Sequence, residues 1–161
     1  MGCIESKNFD QKRSSKSKKN SKNHQFEIYA AIMSSKIDKV DELISKCFDV
    51  SYKMPNFMGR TALHVAAEYG NIKIMVTLLE NGADINALDF YNCPPIFLAM
   101  KKGYLKAVDF MIEAGANVNI VTKYNLSFHD FICNAKKKES LILLKNINYR
   151  KSRVSNLQFR Y

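Results

Sequence analysis

Residues 59–67 read Gly59-Arg60-Thr61-Ala62-Leu63-His64-Val65-Ala66-Ala67, and this stretch decides the fold because it returns in altered form about 33 residues later. It is followed by Glu80-Asn81-Gly82-Ala83-Asp84-Ile85-Asn86. The second copy reads Pro94-Pro95-Ile96-Phe97-Leu98-Ala99 and is followed by Glu113-Ala114-Gly115-Ala116-Asn117-Val118-Asn119. Self-similarity at a fixed period indicates a repeat architecture, in which each repeat buries its apolar face against its neighbours.

Each copy has the pattern of two short helices joined by a turn. Thr61 is placed to cap the first helix, because its hydroxyl can accept a hydrogen bond from a free backbone N–H. A second helix is predicted from about Ile72 to Asn81, and Gly82 ends it in a left-handed conformation that costs other residues more. Asp84-Ile85-Asn86 then leads into an extended β-turn arm. The stripe predicted to be buried on the second helix is Ile72, Met75, Val76, Leu78 and Leu79.

These segments resemble the ankyrin repeat, whose signature is T-P-L-H-x-A. Thr61-Ala62-Leu63-His64-Val65-Ala66 departs from that signature only at Ala62. The resemblance covers residues 24–148 and implies an all-α solenoid of about four helix-turn-helix repeats with short β-turn arms, at approximately 24–55, 56–88, 89–121 and 122–148. Its terminal repeats are degenerate, as expected for repeats that cap the stack. In this family the histidine bonds backbone groups inside its repeat, so His64 is expected to be structural.

The third repeat lacks three of the signature residues. Phe97 replaces the histidine, Pro94 replaces the capping threonine, and Asn92 replaces the turn glycine. Asparagine tolerates positive φ and proline is accepted at a helix start, so the last two changes are mild. Loss of the Thr–His hydrogen-bond pair predicts a repeat that opens more readily than the second one, with burial of Phe97 as a partial compensation.

The first six residues carry a pattern for lipid attachment. Gly2 and Ser6 complete the N-myristoylation motif M-G-x-x-x-[ST], and the adjacent Cys3 is a candidate for S-palmitoylation. This start resembles the dually acylated amino termini of Src-family kinases and some G-protein α subunits. One myristoyl chain binds membranes only marginally, with an association constant on the order of 10⁴ M⁻¹, so stable anchoring needs a second signal.

Residues 1–23 are rich in Lys, Ser and Asn and have few apolar side chains, which predicts a disordered, acylated basic tether ahead of the solenoid. Each basic residue near an anionic leaflet adds about 1 kcal/mol of attraction before salt screening. The basic residues expected to act in this way are Lys7, Lys12, Arg13, Lys16, Lys18, Lys19 and Lys22. Phosphorylation of interleaved serines would weaken the attraction. The candidate serines are Ser14, Ser15, Ser17 and Ser21.

Several classes of function are disfavoured by the composition of the 161-residue chain. There is no apolar run of transmembrane length, no apolar signal segment, no nucleotide-binding or hydrolase motif and no zinc-ligand spacing, so we predict neither enzyme, metal nor cofactor. The net charge of +10 is concentrated at the two ends rather than on one face, which argues against nucleic acid. Cys47 and Cys133 are expected to pack, whereas Cys93 lies in a turn and is expected to be exposed.

The remaining candidate site is a surface for a protein partner. Ankyrin repeats resemble one another in binding through their β-turn tips and the inner faces of their first helices, which implies a concave groove. Aromatic side chains at successive tips either form a binding hot spot or stack on each other, and the sequence leaves both open. The residues assigned to this surface are Phe57, Met58, Phe90, Tyr91, Tyr124, Glu68, Tyr69, Lys101 and Lys102.

Residues 149–161 form a basic tail with interleaved aromatics, which could contact nucleic-acid bases, membrane headgroups or the end of the solenoid. Two functions remain in view. One is a monomeric adaptor held at the cytoplasmic face of a membrane, with a protein partner in its groove and anionic lipid at its tether. The other is a soluble, cytosolic ankyrin inhibitor or regulator of a partner enzyme, whose basic ends bind acidic partners or nucleic acid.

Overall fold

The computed structural model describes residues 26–46 and 48–134, and seven helices lie in these ranges. Their bounds are α1 (26–33), α2 (Ile37–Ser45), α3 (Ala62–Glu68), α4 (Ile72–Glu80), α5 (Pro95–Lys102), α6 (Leu105–Glu113) and α7 (Phe128–Asn134). A 3₁₀ turn spans Pro55–Phe57. The predicted all-α ankyrin-type class is confirmed. The lipidation, basic and serine positions, Cys47 and the tail 149–161 lie outside the described residues.

The helices stack in two rows, as a solenoid requires. Helix α3 packs on α4 of its own repeat and on α5 of the next, and α5 in turn packs on α6 and α7. The second helices α2 and α4 also touch each other. Successive first helices therefore form one continuous layer, whose free edge leads to the tips of the β-turn arms.

The first helices can approach closely because the residues between them are small or apolar. Ala62, Ala66 and Ala67 of α3 are fully buried, and so is Ala99 of α5. On α4 the predicted stripe is right for Met75 and Leu78 but wrong in part, because Ile72, Val76 and Leu79 are only half-buried. Ile74, which the prediction omitted, is fully buried. The helix is rotated so that the face holding residues 74, 75 and 78 meets its neighbours.

The tips of the arms share one backbone conformation. Gly59, Asn92 and Asn125 occupy the same place in three successive repeats and have φ values of +71°, +55° and +57°. The expectation that Asn92 adopts positive φ is confirmed. At Gly59 the glycine is also required for space, because a Cβ there would lie 2.3 Å from Cδ1 of Phe90 on the next tip.

Each first helix begins with a different device. Helix α3 follows a capping box formed by Thr61 and His64. Helix α5 begins at Pro95 after a buried Pro94, whose backbone is extended. Before α7, the hydroxyl of Ser127 donates to Asp130 Oδ2 at 2.6 Å. The same carboxylate oxygen accepts the Ser127 N–H at 2.7 Å, which rebuilds a side-chain cap with different residues.

Candidate partner-binding groove

His64 has a structural role, because its ring hydrogen-bonds backbone groups of two successive repeats. Its Nδ1 accepts the backbone N–H of Thr61 at 3.1 Å, and its Nε2 lies 3.0 Å from the carbonyl oxygen of Cys93. Because a carbonyl can only accept, Nε2 carries the proton and the ring is neutral. Burial lowers the pKa of His64 to about 4. The expected structural role fits these contacts, with one addition: the Cys93 partner belongs to the following repeat.

Cys93 is buried, so the expectation that its turn would expose it is wrong. The reason is the turn itself, in which Asp89 Oδ1 accepts the Cys93 N–H at 2.9 Å and draws that residue inward. Burial, followed by the nearby Asp89 charge, raises the pKa of the thiol to about 12. A thiol held in this way is protonated at neutral pH and is not a reactive nucleophile.

The predicted tip residues are exposed and yet held in place. Phe57, Met58, Phe90, Tyr91 and Tyr124 are all at least 37% exposed, and Tyr124 reaches 68%. The rings of Tyr91 and Tyr124 stack with centroids 5.7 Å apart, and Phe57 lies 5.8 Å from Tyr29. The stacking interpretation is therefore confirmed for Tyr91 and Tyr124, and stacking leaves both rings exposed.

Backbone hydrogen bonds connect each tip to the next. The N–H of Phe90 donates to the carbonyl of Met58, and the N–H of Lys123 donates to the carbonyl of Tyr91, both at 2.9 Å. In the segments that lead into the third and fourth tips, Asn86 Oδ1 accepts the N–H of Asn117 at 2.7 Å. The tips of the second, third and fourth repeats thus form one connected surface, which we call the ledge. The ledge is ordered before a partner binds, and this reduces the ordering cost of binding.

The predicted inner-helix residues differ in exposure and in whether their charges are already paired. The carboxylate of Glu68 pairs with Arg60 Nη1 at 2.6 Å and with Lys102 Nζ at 3.4 Å. Tyr69 is 41% exposed. Lys101 is exposed, and none of the ion pairs found in the described part of the chain includes it. Lys101 is consequently the member of this set with a charge available to a partner.

A cavity of about 450 Å³ lies between the tips of the second, third and fourth repeats and the first helices of the third and fourth repeats, α5 and α7. Four residues of the predicted partner surface line it, namely Met58, Tyr91, Tyr124 and Lys101. The other five, Phe57, Phe90, Glu68, Tyr69 and Lys102, are not part of its lining. Buried Phe97 and Leu98 form an apolar floor together with the half-buried Phe131. We call this cavity the groove.

Two charged residues of the groove, Arg60 and Asp89, were not assigned from the sequence. Asp89 Oδ1 accepts the N–H groups of Tyr91 and Cys93 at 2.8 and 2.9 Å, and Oδ2 lies 3.9 Å from Arg60 Nε. The Arg60 Nε atom is buried without a hydrogen-bond partner. Asp89 could have been identified from the sequence, because an aspartate just before a turn commonly accepts hydrogen bonds from backbone N–H groups two or more residues later in the chain.

Neither a metal site nor a membrane span is found among residues 26–46 and 48–134. No group of three or more His, Cys, Asp or Glu side chains there could hold a metal ion. In the same ranges, no helix has both the length and the apolar character that crossing a bilayer requires.

The repeated helix pairs define a class, the helical-repeat solenoids with a binding surface along one edge. A sequence model of the family described as ankyrin repeats (3 copies) matches residues 9–89 and 28–122. The chain belongs to the ankyrin-repeat family.

Individual relatives align over parts of their length. The chain is 36% identical over 62 residues to an ankyrin repeat protein of Rickettsia felis, and 36% identical over 77 residues to one of fowlpox virus. It is 38% identical over 66 residues to the E3 ubiquitin-protein ligase HACE1 of Xenopus tropicalis. These matches cover 38%, 47% and 40% of this chain, but only 20%, 51% and 7% of the relatives.

Proposed function

We propose that this protein is a membrane-tethered ankyrin-repeat adaptor that holds a protein partner at the cytoplasmic face of a membrane. Ankyrin repeats bind other proteins, and the exposed, pre-ordered ledge of tips supports that role for this chain. The tethering part of the proposal rests on one observation in the sequence. Gly2, Cys3 and Ser6 stand directly before seven basic residues, between Lys7 and Lys22, and the repeats follow.

The energetics favour combining these signals. A myristoyl chain on Gly2 alone gives reversible binding, with an association constant on the order of 10⁴ M⁻¹. A palmitoyl chain on Cys3 adds about 0.8 kcal/mol for each buried CH₂ group. The basic residues add about 1 kcal/mol each near anionic lipid, and this term is weakened by salt. A myristoyl chain together with either the palmitoyl chain or the basic residues suffices for stable anchoring, which leaves the remaining signal free for regulation.

Regulation would act on the charge. Each phosphate added at Ser14, Ser15, Ser17 or Ser21 carries about −1.5 to −2 charges at neutral pH and offsets one or two lysines. A doubly acylated molecule would remain bound after phosphorylation, whereas a molecule with myristate alone would be released. The state of Cys3 would therefore decide whether the serines act as a switch.

Fractionation of cells expressing the full chain tests the proposal. The wild type is expected in the membrane fraction and to resist extraction by high salt, because acyl chains are not screened. Gly2→Ala is expected in the soluble fraction, since it removes the myristate acceptor. Cys3→Ser is the matched variant: it keeps myristate and is expected to become extractable by salt.

The soluble-regulator function predicts a different pattern. There the basic ends serve acidic partners, and the wild type, Gly2→Ala and Cys3→Ser fractionate alike. Equal recovery of all three from the soluble fraction refutes tethering and leaves the groove as a site on a free protein. Salt-sensitive membrane binding that is equal in all three would show attraction by charge alone and would refute acylation.

A further inference from the structure

We infer that the groove takes an acidic peptide segment with one large apolar side chain, the apolar group entering between the tips and a neighbouring carboxylate meeting Lys101. This inference rests on the proposed partner-binding function and specifies the chemistry of the partner. Three features of the groove support this chemistry: its apolar floor, the acidic side chains that are already paired, and the charge of Lys101, which is not paired.

The floor and walls suit a single apolar anchor. Phe97 is fully buried and packs against Phe128 and Phe131, with ring centroids 5.4 and 5.2 Å away, so the floor is closely packed. Above it, the stacked rings of Tyr91 and Tyr124 form an exposed wall. A volume of about 450 Å³ holds one aromatic or branched side chain with the adjoining backbone, and lies within the usual range of ligand pockets.

The acidic side chains in the groove and just outside it already have hydrogen-bond or ion-pair partners. The Asp89 side chain is 1% exposed, accepts two backbone N–H groups through Oδ1 and faces Arg60 through Oδ2. Just outside the groove, both carboxylate oxygens of Glu68 meet cations. A basic ligand would therefore find no free carboxylate among the described residues that line the groove, and would be repelled by Lys101.

The basic side chains that line the groove, Arg60 and Lys101, are less fully paired than the acidic ones. Lys101 lines the groove, is exposed and takes part in no ion pair found among the described residues. Arg60 is paired with Glu68 through Nη1 and faces Asp89 through its buried Nε, so Lys101 carries the charge that a ligand can meet. Charge complementarity thus favours a carboxylate beside the apolar anchor. It also disfavours the chain's own residues 140–161 as occupants, because they contain no acidic side chain.

The test is a selection of random twelve-residue peptides, displayed on phage, against the full chain without membranes. The recovered pool is expected to combine Asp or Glu with one Phe, Leu, Ile or Met. Affinities of the three most frequent peptides are then measured by fluorescence anisotropy. Lys101→Glu is expected to weaken them about three- to tenfold, as for an exposed charge at the edge of an interface. Lys106→Glu, the same charge change on α6 outside the groove, is expected to leave affinity within about twofold.

Each other outcome overturns a defined part of the inference. A pool that is lost on Tyr124→Ala but carries no excess of acidic residues refutes the chemistry and keeps the groove as the partner site. A pool that ignores both Tyr124→Ala and Lys101→Glu, or no enriched pool, refutes the groove as the site. None of these results depends on acylation, so a failure here is distinguishable from a failure of the tethering proposal.

Discussion

Acidification is expected to destabilise this protein through His64. The imidazole is fully buried, with Nδ1 accepting the Thr61 N–H and Nε2 donating to the carbonyl of Cys93. Protonation of the ring would put a second proton on Nδ1, where it would face the Thr61 N–H and break the hydrogen bond that caps α3. Burial lowers the pKa of His64 to about 4, from about 6.5 in an unfolded chain.

The sign and size of the effect follow from proton linkage. Above pH 6.5 His64 is neutral in both states, and its contribution to stability is complete. As the pH falls below about 6.5, the unfolded chain takes up a proton that the folded chain refuses, so the free energy of unfolding decreases by about 1.4 kcal/mol per pH unit. The decrease amounts to about 2 kcal/mol at pH 5 and levels off near 3 kcal/mol once the pH is below the folded pKa.

Urea unfolding followed by circular dichroism measures this decrease at pH 7.5 and pH 5.0. The control is His64→Gln, which lacks the titrating ring while every other ionisable group remains. Between the two pH values the wild type is expected to lose about 2 kcal/mol more stability than the variant. Equal losses refute the reasoning. If the variant is too unstable to measure, the NMR shift of His64 Cε1 in the wild type decides: it should stay constant down to about pH 5, and a midpoint near 6.5 contradicts the buried neutral ring.

Three further predictions test the packing of the solenoid. Gly59→Ala should lower the free energy of unfolding by about 2 kcal/mol, because the new Cβ meets the Phe90 ring and φ is positive, whereas Gly82→Ala, with open space around it, should cost about 1 kcal/mol; equal thermal shifts would contradict the tip contact. Phe97→Ala should cost about 3–5 kcal/mol in urea unfolding, and a cost below 1 kcal/mol would show that the groove floor is not packed. Asp89→Ala should cost about 2 kcal/mol by stranding two backbone N–H groups, visible as faster amide exchange at Cys93; unchanged exchange would refute its role.

Local chemistry in the sequence predicted the fold because each repeat encodes its own turns. Thr61 with His64, the positive φ of Asn92 and the helix-ending Gly82 are all determined within a few residues, and the structure confirms their conformations. The partner of His64 across the repeat boundary was not predictable in the same way. It depends on how closely α3 and α5 approach, which the alanines between them set.

The groove was less accessible to prediction for a related reason. Exposure of Cys93 was expected from its turn, but the Asp89 carboxylate, four residues earlier, pulls its N–H inward. Aromatic side chains were predicted at successive tips, but whether their rings stack or stand free depends on the offset between neighbouring repeats. Which lysine is left unpaired also depends on distances between side chains, since Lys101 and Lys102 are adjacent in sequence, yet among the described residues Lys102 is the one that pairs with Glu68.

Mass spectrometry of the amino-terminal peptide, taken from protein purified out of its own cells, determines whether the protein is acylated. We expect a myristoyl group on Gly2 and, in the membrane-bound fraction, a palmitoyl group on Cys3. A Gly2 amine and a Cys3 thiol that are both unmodified in that fraction would refute anchoring by lipid.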